Sequence, residues 1–212
     1  MAKRKTLKWE RRPDQRPREL LEAALAVFAQ HGYRNTRLDD VAEAAGVTKG
    51  AIYHYFDTKE DLLRSVIEHY QTLAFGRADE ALLRRDLPPS ERLSLLVRKI
   101  FSSGETRNRQ LLGLLIRGIA HEVPRVHARW LRDGPVRLWT LVADLIEEGK
   151  AAGEFRANAD SEVAARLLVS GLILQRLWSD DADAVPTLHI DDARLIDAAI
   201  ALLLASLRRT PS

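Results

Sequence analysis

The chain has 212 residues, 46% of them hydrophobic and 30% charged, with a formal net charge of +3. That is the balance of one or two folded domains and excludes both a disordered chain and a large multidomain enzyme. The absence of cysteine excludes disulfide frameworks, thiolate metal sites, iron–sulfur clusters and a cysteine nucleophile.

No apolar run approaches the roughly 18 residues that span a bilayer; the run from Leu111 to Ala120 is short and interrupted by Arg117. The N-terminus is charged and shows no apolar signal-peptide region. The expectation is a soluble, cytoplasmic protein with no membrane partner. Residues 1–18 carry eight basic side chains against two acidic ones, while the rest carries 25 basic against 28 acidic. A basic arm on a mildly acidic body suits a protein that touches a polyanion with one end, although a solvated tail has the same composition.

Helical periodicity dominates and no useful alternating stretch suggests a strand, so the expected fold class is all-α. A first helix is predicted from about Pro17 to Gln30, with Leu20, Leu21, Ala24 and Phe28 inward and Gly32 as a left-handed stop. The next begins at Thr36, whose hydroxyl is expected to cap it, buries Leu38, Val41, Ala42 and Ala45, and ends at Gly46. Thr48 then caps a short helix with Ile52 and Phe56 on one face, and two short helices across a tight glycine turn make a helix-turn-helix. Thr58, with Asp61 three residues on, opens a fourth helix carrying Leu62, Leu63, Val66, Ile67 and Tyr70.

Pro88 and Pro89 break the pattern, and helices follow at about 90–103 and 108–121. Pro124 starts a further helical region, interrupted around Gly134 and Pro135, that stops near Gly149 to Gly153. Two long helices remain, near 160–178 and 191–208. The first is apolar nearly all round and the second carries Ile196, Ala199, Ile200, Leu203, Leu204 and Leu207, more than one chain's core is expected to cover; this predicts a homodimer interface including Gly171, Leu174, Ile200 and Leu203, the alternative being burial within one chain's core.

The stretch from Phe28 to Leu63 reads FAQHGYRNTRLDDVAEAAGVTKGAIYHYFDTKEDLL. Its cluster of Phe28, Gly32 and Tyr33, its Ala45-Gly46-Val47 turn, and Gly50, Tyr53, Phe56, Lys59 and Leu62 at these spacings resemble the DNA-binding domain of TetR-family transcriptional regulators. The resemblance covers about 45 residues. It implies an N-terminal three-helix helix-turn-helix domain at 17–60 behind a basic arm at 1–16, followed by a helical ligand-binding and dimerisation domain at 61–212. It also implies that Tyr53 and Lys59 touch the DNA backbone and that Thr36, Arg37 and Thr48 lie against phosphates. Residues in the arm follow a groove or phosphates in parts of the family.

The short helix supports that reading independently. With Ile52 and Phe56 inward, Lys49, Gly50, Tyr53 and His54 face outward, with Tyr55 beside them. Lysine reaches phosphates or guanine acceptors, glycine admits close approach, and tyrosine donates to phosphate. The implied partners are double-stranded DNA with an inverted-repeat operator, a small-molecule effector and a second copy of the chain.

An enzyme reading finds little. His121, Glu122 and His127 have the spacing H-E-x4-H with Pro124 between them, which fails the i, i+4 geometry of a helical zinc site. No Walker motif or Ser/His/Asp constellation is spaced for chemistry. Neither metal, cofactor nor turnover is expected, and the competing reading is a helical carrier or enzyme with a vestigial DNA-binding module. In the regulatory half, Gly113, Arg117 and His121 form a polar stripe on the helix at 108–121. Either it faces solvent, or Arg117 and His121 look into an apolar cavity lined by Phe101, Leu112, Trp130, Trp139, Leu174 and Trp178 and anchor the polar end of a ligand.

Overall fold

The computed structural model describes residues 16–101, 106–179, 185, 187 and 190–208; the basic arm up to residue 15 lies outside them. The described residues form α1 (Arg16–Asn35), α2 (Leu38–Ala44), α3 (Lys49–Tyr55), α4 (Lys59–Leu83), α5 (Pro89–Phe101), α6 (Thr106–Glu122), α7 (Pro124–Leu131), α8 (Arg137–Ala151), α9 (Ser161–Ser179) and α10 (Asp192–Leu207). The fold is all-α, as the periodicity requires.

Local chemistry sets the boundaries. Thr48 Oγ accepts from the Ala51 N–H at 3.3 Å and Thr58 Oγ from the Asp61 N–H at 3.0 Å, satisfying amides that α3 and α4 leave open at their starts. Gly32 and Gly46 have φ of 75° and 65°, a region that a side chain disfavours, and there the chain leaves the α1 and α2 directions. One expected cap is different. Arg37, not Thr36, is the N-cap of α2, its N–H bonded to Asp40 Oδ2 at 2.7 Å. Thr36 is buried, and its hydroxyl donates to the Gly32 carbonyl at 2.8 Å, because the kink at Gly32 frees that oxygen beside it.

The break at Gly134 and Pro135 is a wide π-helical turn, Arg132–Val136, that joins α7 to α8 without a loop. Proline supplies no N–H to a regular ladder, and the wider turn absorbs the mismatch. Gln71 of α4 donates to the Trp130 carbonyl at 3.0 Å, and a Cβ at Gly134 would lie 2.7 Å from the same Gln71 nitrogen.

Two apolar cores result. The first joins Leu20, Leu25 and Phe28 of α1, Val41 of α2, Ile52 of α3 and Leu62, Leu63 and Val66 of α4 to Leu115, Ile116 and Ile119 of α6 and Val126 of α7. The second gathers Phe75 and Ala78 from the far half of α4 with Leu93 and Leu96 of α5, Val142 and Leu145 of α8, Val169 of α9 and Ile200 of α10. The helix-turn-helix unit therefore does not close on itself at residue 60. Its core runs through the start of α4 and is completed by α6 and α7.

Candidate nucleic-acid interface

With seven residues, α3 cannot bury two faces. It commits Ile52 fully to the first core, and Lys49, Gly50, Tyr53, His54 and Tyr55 are exposed, Tyr53 by 52% and Tyr55 by 44%. The His54 and Tyr55 rings meet edge to face with centroids 5.5 Å apart. A Cβ built on Gly50 would meet nothing within 4 Å. Glycine inside a helix costs about 1 kcal/mol relative to alanine, and no internal packing requires it here.

Beside α3, Thr48 and Arg37 are exposed at the entries to α3 and α2. Lys49 Nζ is 2.6 Å from Asp39 Oδ2 on α2, and this hydrogen bond, with the charge behind it, raises the Lys49 pKa. Lys59, at the start of α4, is engaged with the chain itself. Its ammonium donates to the carbonyls of Tyr33 at 2.7 Å and Arg34 at 3.1 Å and sits 4.4 Å from the centre of the Tyr33 ring. Partial burial lowers its pKa. The same turn is held from the other side, where Glu122 at the end of α6 accepts the Arg34 N–H at 3.2 Å. Sequence reasoning missed both carboxylates, because Asp39 and Glu122 act across distances of 10 and 88 residues in the chain.

An exposed short helix on a glycine turn, packed as a unit against α1 and α4, is an arrangement that comparison with known proteins assigns. Residues 20–66 match the family model described as bacterial regulatory proteins, tetR family. The transcriptional regulator AcuR of Cereibacter sphaeroides is 32% identical over 149 residues, covering 69% of this chain and 68% of AcuR. The chain belongs to the tetR family.

A second relative within the tetR family, the HTH-type transcriptional repressor KstR2 of Mycolicibacterium smegmatis, is 28% identical over 168 residues, covering 74% of this chain and 75% of its own. In fold, the chain is similar to the regulator FadR of Bacillus subtilis, solved in complex with stearoyl-CoA. The TM-score is 0.71 at 24% identity, over 90% of this chain and 99% of FadR. The protein is thus a DNA-binding transcriptional regulator of the tetR family. No described helix is long and apolar enough to cross a membrane.

In the regulatory half the structure divides residues that the sequence had grouped. Phe101 is buried in the second core, where Trp139 packs against it, whereas Leu112 and Trp130 pack against the first core. Leu174 and Trp178 are exposed on α9, and His121 is exposed at the end of α6. The eight residues are therefore divided between the two cores and the exposed faces of α6 and α9. Arg117 Nη1 donates to the Leu177 carbonyl at 2.6 Å, so this guanidinium ties α6 to the last turn of α9.

The expected dimer residues divide as well. Ile200 and Leu203 point into their own chain's core, Leu203 being 8% exposed, and so cannot meet a partner. The neighbouring face of α10 is the open one, with Leu202 73% exposed and Ala201 and Ala205 beside it. On α9, Gly171 and Leu174 do face outward, in one stripe with Val163, Leu167 and Trp178. The apolar positions of α9 and α10 exceed what one face can hold, and packing of α9 on α8 and of α10 on α5 covers only the inner ones.

Proposed function

We propose that this regulator is a homodimeric repressor that sets two copies of α3 into successive major grooves of an inverted repeat and is released by an apolar or amphipathic small molecule. The observation that carries the DNA-facing part is the outer surface of α3. It holds a glycine that the fold does not need, flanked by Lys49, Tyr53 and His54, all exposed. Gly50 lets backbone approach the groove, Tyr53 donates to phosphate, and Lys49 reaches base edges or phosphate. Thr48 and Arg37 lie against the flanking backbone, with His54 and Tyr55 as further readers. Lys59 acts chiefly by fixing the Tyr33–Arg34 turn from which α2 departs, and Thr36 supports that turn from inside.

The outer stripes of α9 and α10 pair with their copies about a two-fold axis, with Leu167, Gly171, Leu174 and Leu202 in the contact. Joining two modules raises their effective concentration on one operator. The effector site lies in the second core near Phe101 and Trp139, where the Trp139 indole N–H is buried with no hydrogen-bond partner among the described residues. Such a donor suits an acceptor on a largely apolar ligand. That FadR was solved with stearoyl-CoA makes acyl-CoA the first probe to test. The chain acts by binding, with no turnover, in the cytoplasm where its DNA is.

Footprinting on genomic fragments selected by the protein tests this reading. Two protected half-sites about 34 Å apart, or a multiple of that, are expected. A single asymmetric half-site bound by a monomer contradicts it.

A further inference from the structure

Lys49 is the only lysine or arginine in α3, so it is the one formal cation that the helix itself carries toward DNA. In the structure it is matched by an anion, with its Nζ 2.6 Å from Asp39 Oδ2. The second carboxylate oxygen, Asp39 Oδ1, is buried and has no hydrogen-bond partner among the described residues. Packing therefore fixes the carboxylate with one oxygen turned inward, and Lys49 partners the other.

Two kinds of DNA contact respond differently to this pairing. Binding to phosphates of any sequence depends on net positive charge, because it is driven by release of condensed counterions. A lysine paired with a carboxylate brings no net charge, and moving it onto a phosphate strands Asp39 beside a polyanion. Base reading depends on aimed donors. The ammonium has three N–H groups, so a lysine that gives one to Asp39 keeps two for the O6 and N7 acceptors of a guanine.

We propose that Asp39 is a specificity-determining residue of this regulator, holding the α3 lysine so that it reads base edges while contributing little to sequence-independent binding. The proposal rests on α3 being the DNA-reading helix. Asp39 touches Lys49 and positions it.

The test uses the full chain with two DNAs, a mixed-sequence duplex and a genomic fragment recovered by selection. Asp39→Asn is close to isosteric and removes charge from a carboxylate whose buried oxygen has no partner, so the fold tolerates it; equal helicity by circular dichroism checks this. The variant is expected to bind the mixed-sequence duplex roughly twofold to fivefold more tightly, the range of an exposed ion pair. Its log–log salt dependence should steepen by about 0.9, one additional phosphate. Affinity for the selected fragment should rise less, so the selectivity ratio falls. In a Lys49→Ala background the same substitution should leave the salt slope unchanged.

A steeper slope in both backgrounds would mean that Asp39 merely repels DNA, and would overturn the proposal. Unchanged mixed-sequence affinity and slope in Asp39→Asn, with Tyr53→Ala still weakening both DNAs, would overturn it while leaving the reading of α3 intact. If neither Tyr53→Ala nor Lys49→Ala altered binding to either DNA, the reading of α3 would fall and the proposal with it.

Discussion

The two cores of this regulator are built differently. The first is assembled from α1, the two seven-residue helices α2 and α3 and the start of α4, with caps and glycine turns between them, and is then closed by α6 and α7 from the regulatory half. The second is assembled from helices of 13 residues or more, and two of them, α9 and α10, retain apolar faces on the outside as well as the inside. The first core thus finishes within one chain and frees a polar face for DNA, while the second leaves an apolar surface that a partner can cover. The connection between them is covalent and direct. Helix α4 contributes Leu62, Leu63 and Val66 to one core and Phe75 and Ala78 to the other, and α6 reaches both α1 and, through Arg117, the end of α9. Both cores therefore share α4, and α6 touches elements of each.

The largest test of this contrast uses adjacent residues on α10. Leu203→Glu places an unpaired carboxylate in the second core and should cost more than about 4 kcal/mol, seen as loss of helicity and of a cooperative melt. Leu202→Glu should keep the fold and convert the dimer to a monomer in sedimentation at micromolar concentration. If both variants remained folded dimers, the assignment of inner and outer faces would be wrong.

Gly149 probes how tightly the second core is packed. A Cβ there would lie 2.2 Å from the Phe155 ring, so Gly149→Ala should destabilise the protein by about 1–3 kcal/mol in a denaturant titration. An unaltered midpoint would show that the loop carrying Phe155 yields freely.

The link between the cores is sharpened at Glu122. Glu122→Ala removes the acceptor for the Arg34 N–H and should loosen the turn leading to α2, costing about 1 kcal/mol and weakening DNA binding roughly fivefold. Glu122→Gln, which still offers an acceptor, should restore most of the affinity. Equal losses in both variants would instead point to the charge on Glu122.

The smallest effect is on stability and has opposite signs for fold and function. Gly50→Ala has open space for its methyl group and should stabilise α3 by up to about 1 kcal/mol, read as a higher melting temperature, while weakening DNA binding. A variant that gained stability and kept full affinity would remove the case for close backbone approach at Gly50.

Legibility in the sequence followed the same divide. Around α3 the signals were short-range: Thr48 and Thr58 accept from amides three residues on, and Gly46 turns the chain where its positive φ is needed. Thr36 failed within that region because its hydroxyl answered a carbonyl freed by the Gly32 kink instead of an amide of the helix it precedes. In the regulatory half the helices were visible but their orientation was not. From the sequence Arg117 reads as a ligand anchor or a solvent-facing charge, and its hydrogen bond to the Leu177 carbonyl is a contact with α9 that neither reading contains.

By itself, then, the sequence determined the all-helical class, the helix-turn-helix and the outward residues of α3, because hydrophobic period, caps and turn glycines act over a few residues. Only the tertiary structure decided that Lys59 and Glu122 share the Arg34 turn, that Asp39 faces Lys49, and that Leu202 rather than Leu203 is open to a partner. Those outcomes depend on which helix lies beside which. An apolar stripe states that a surface must be covered, and the packing of distant segments determines what covers it.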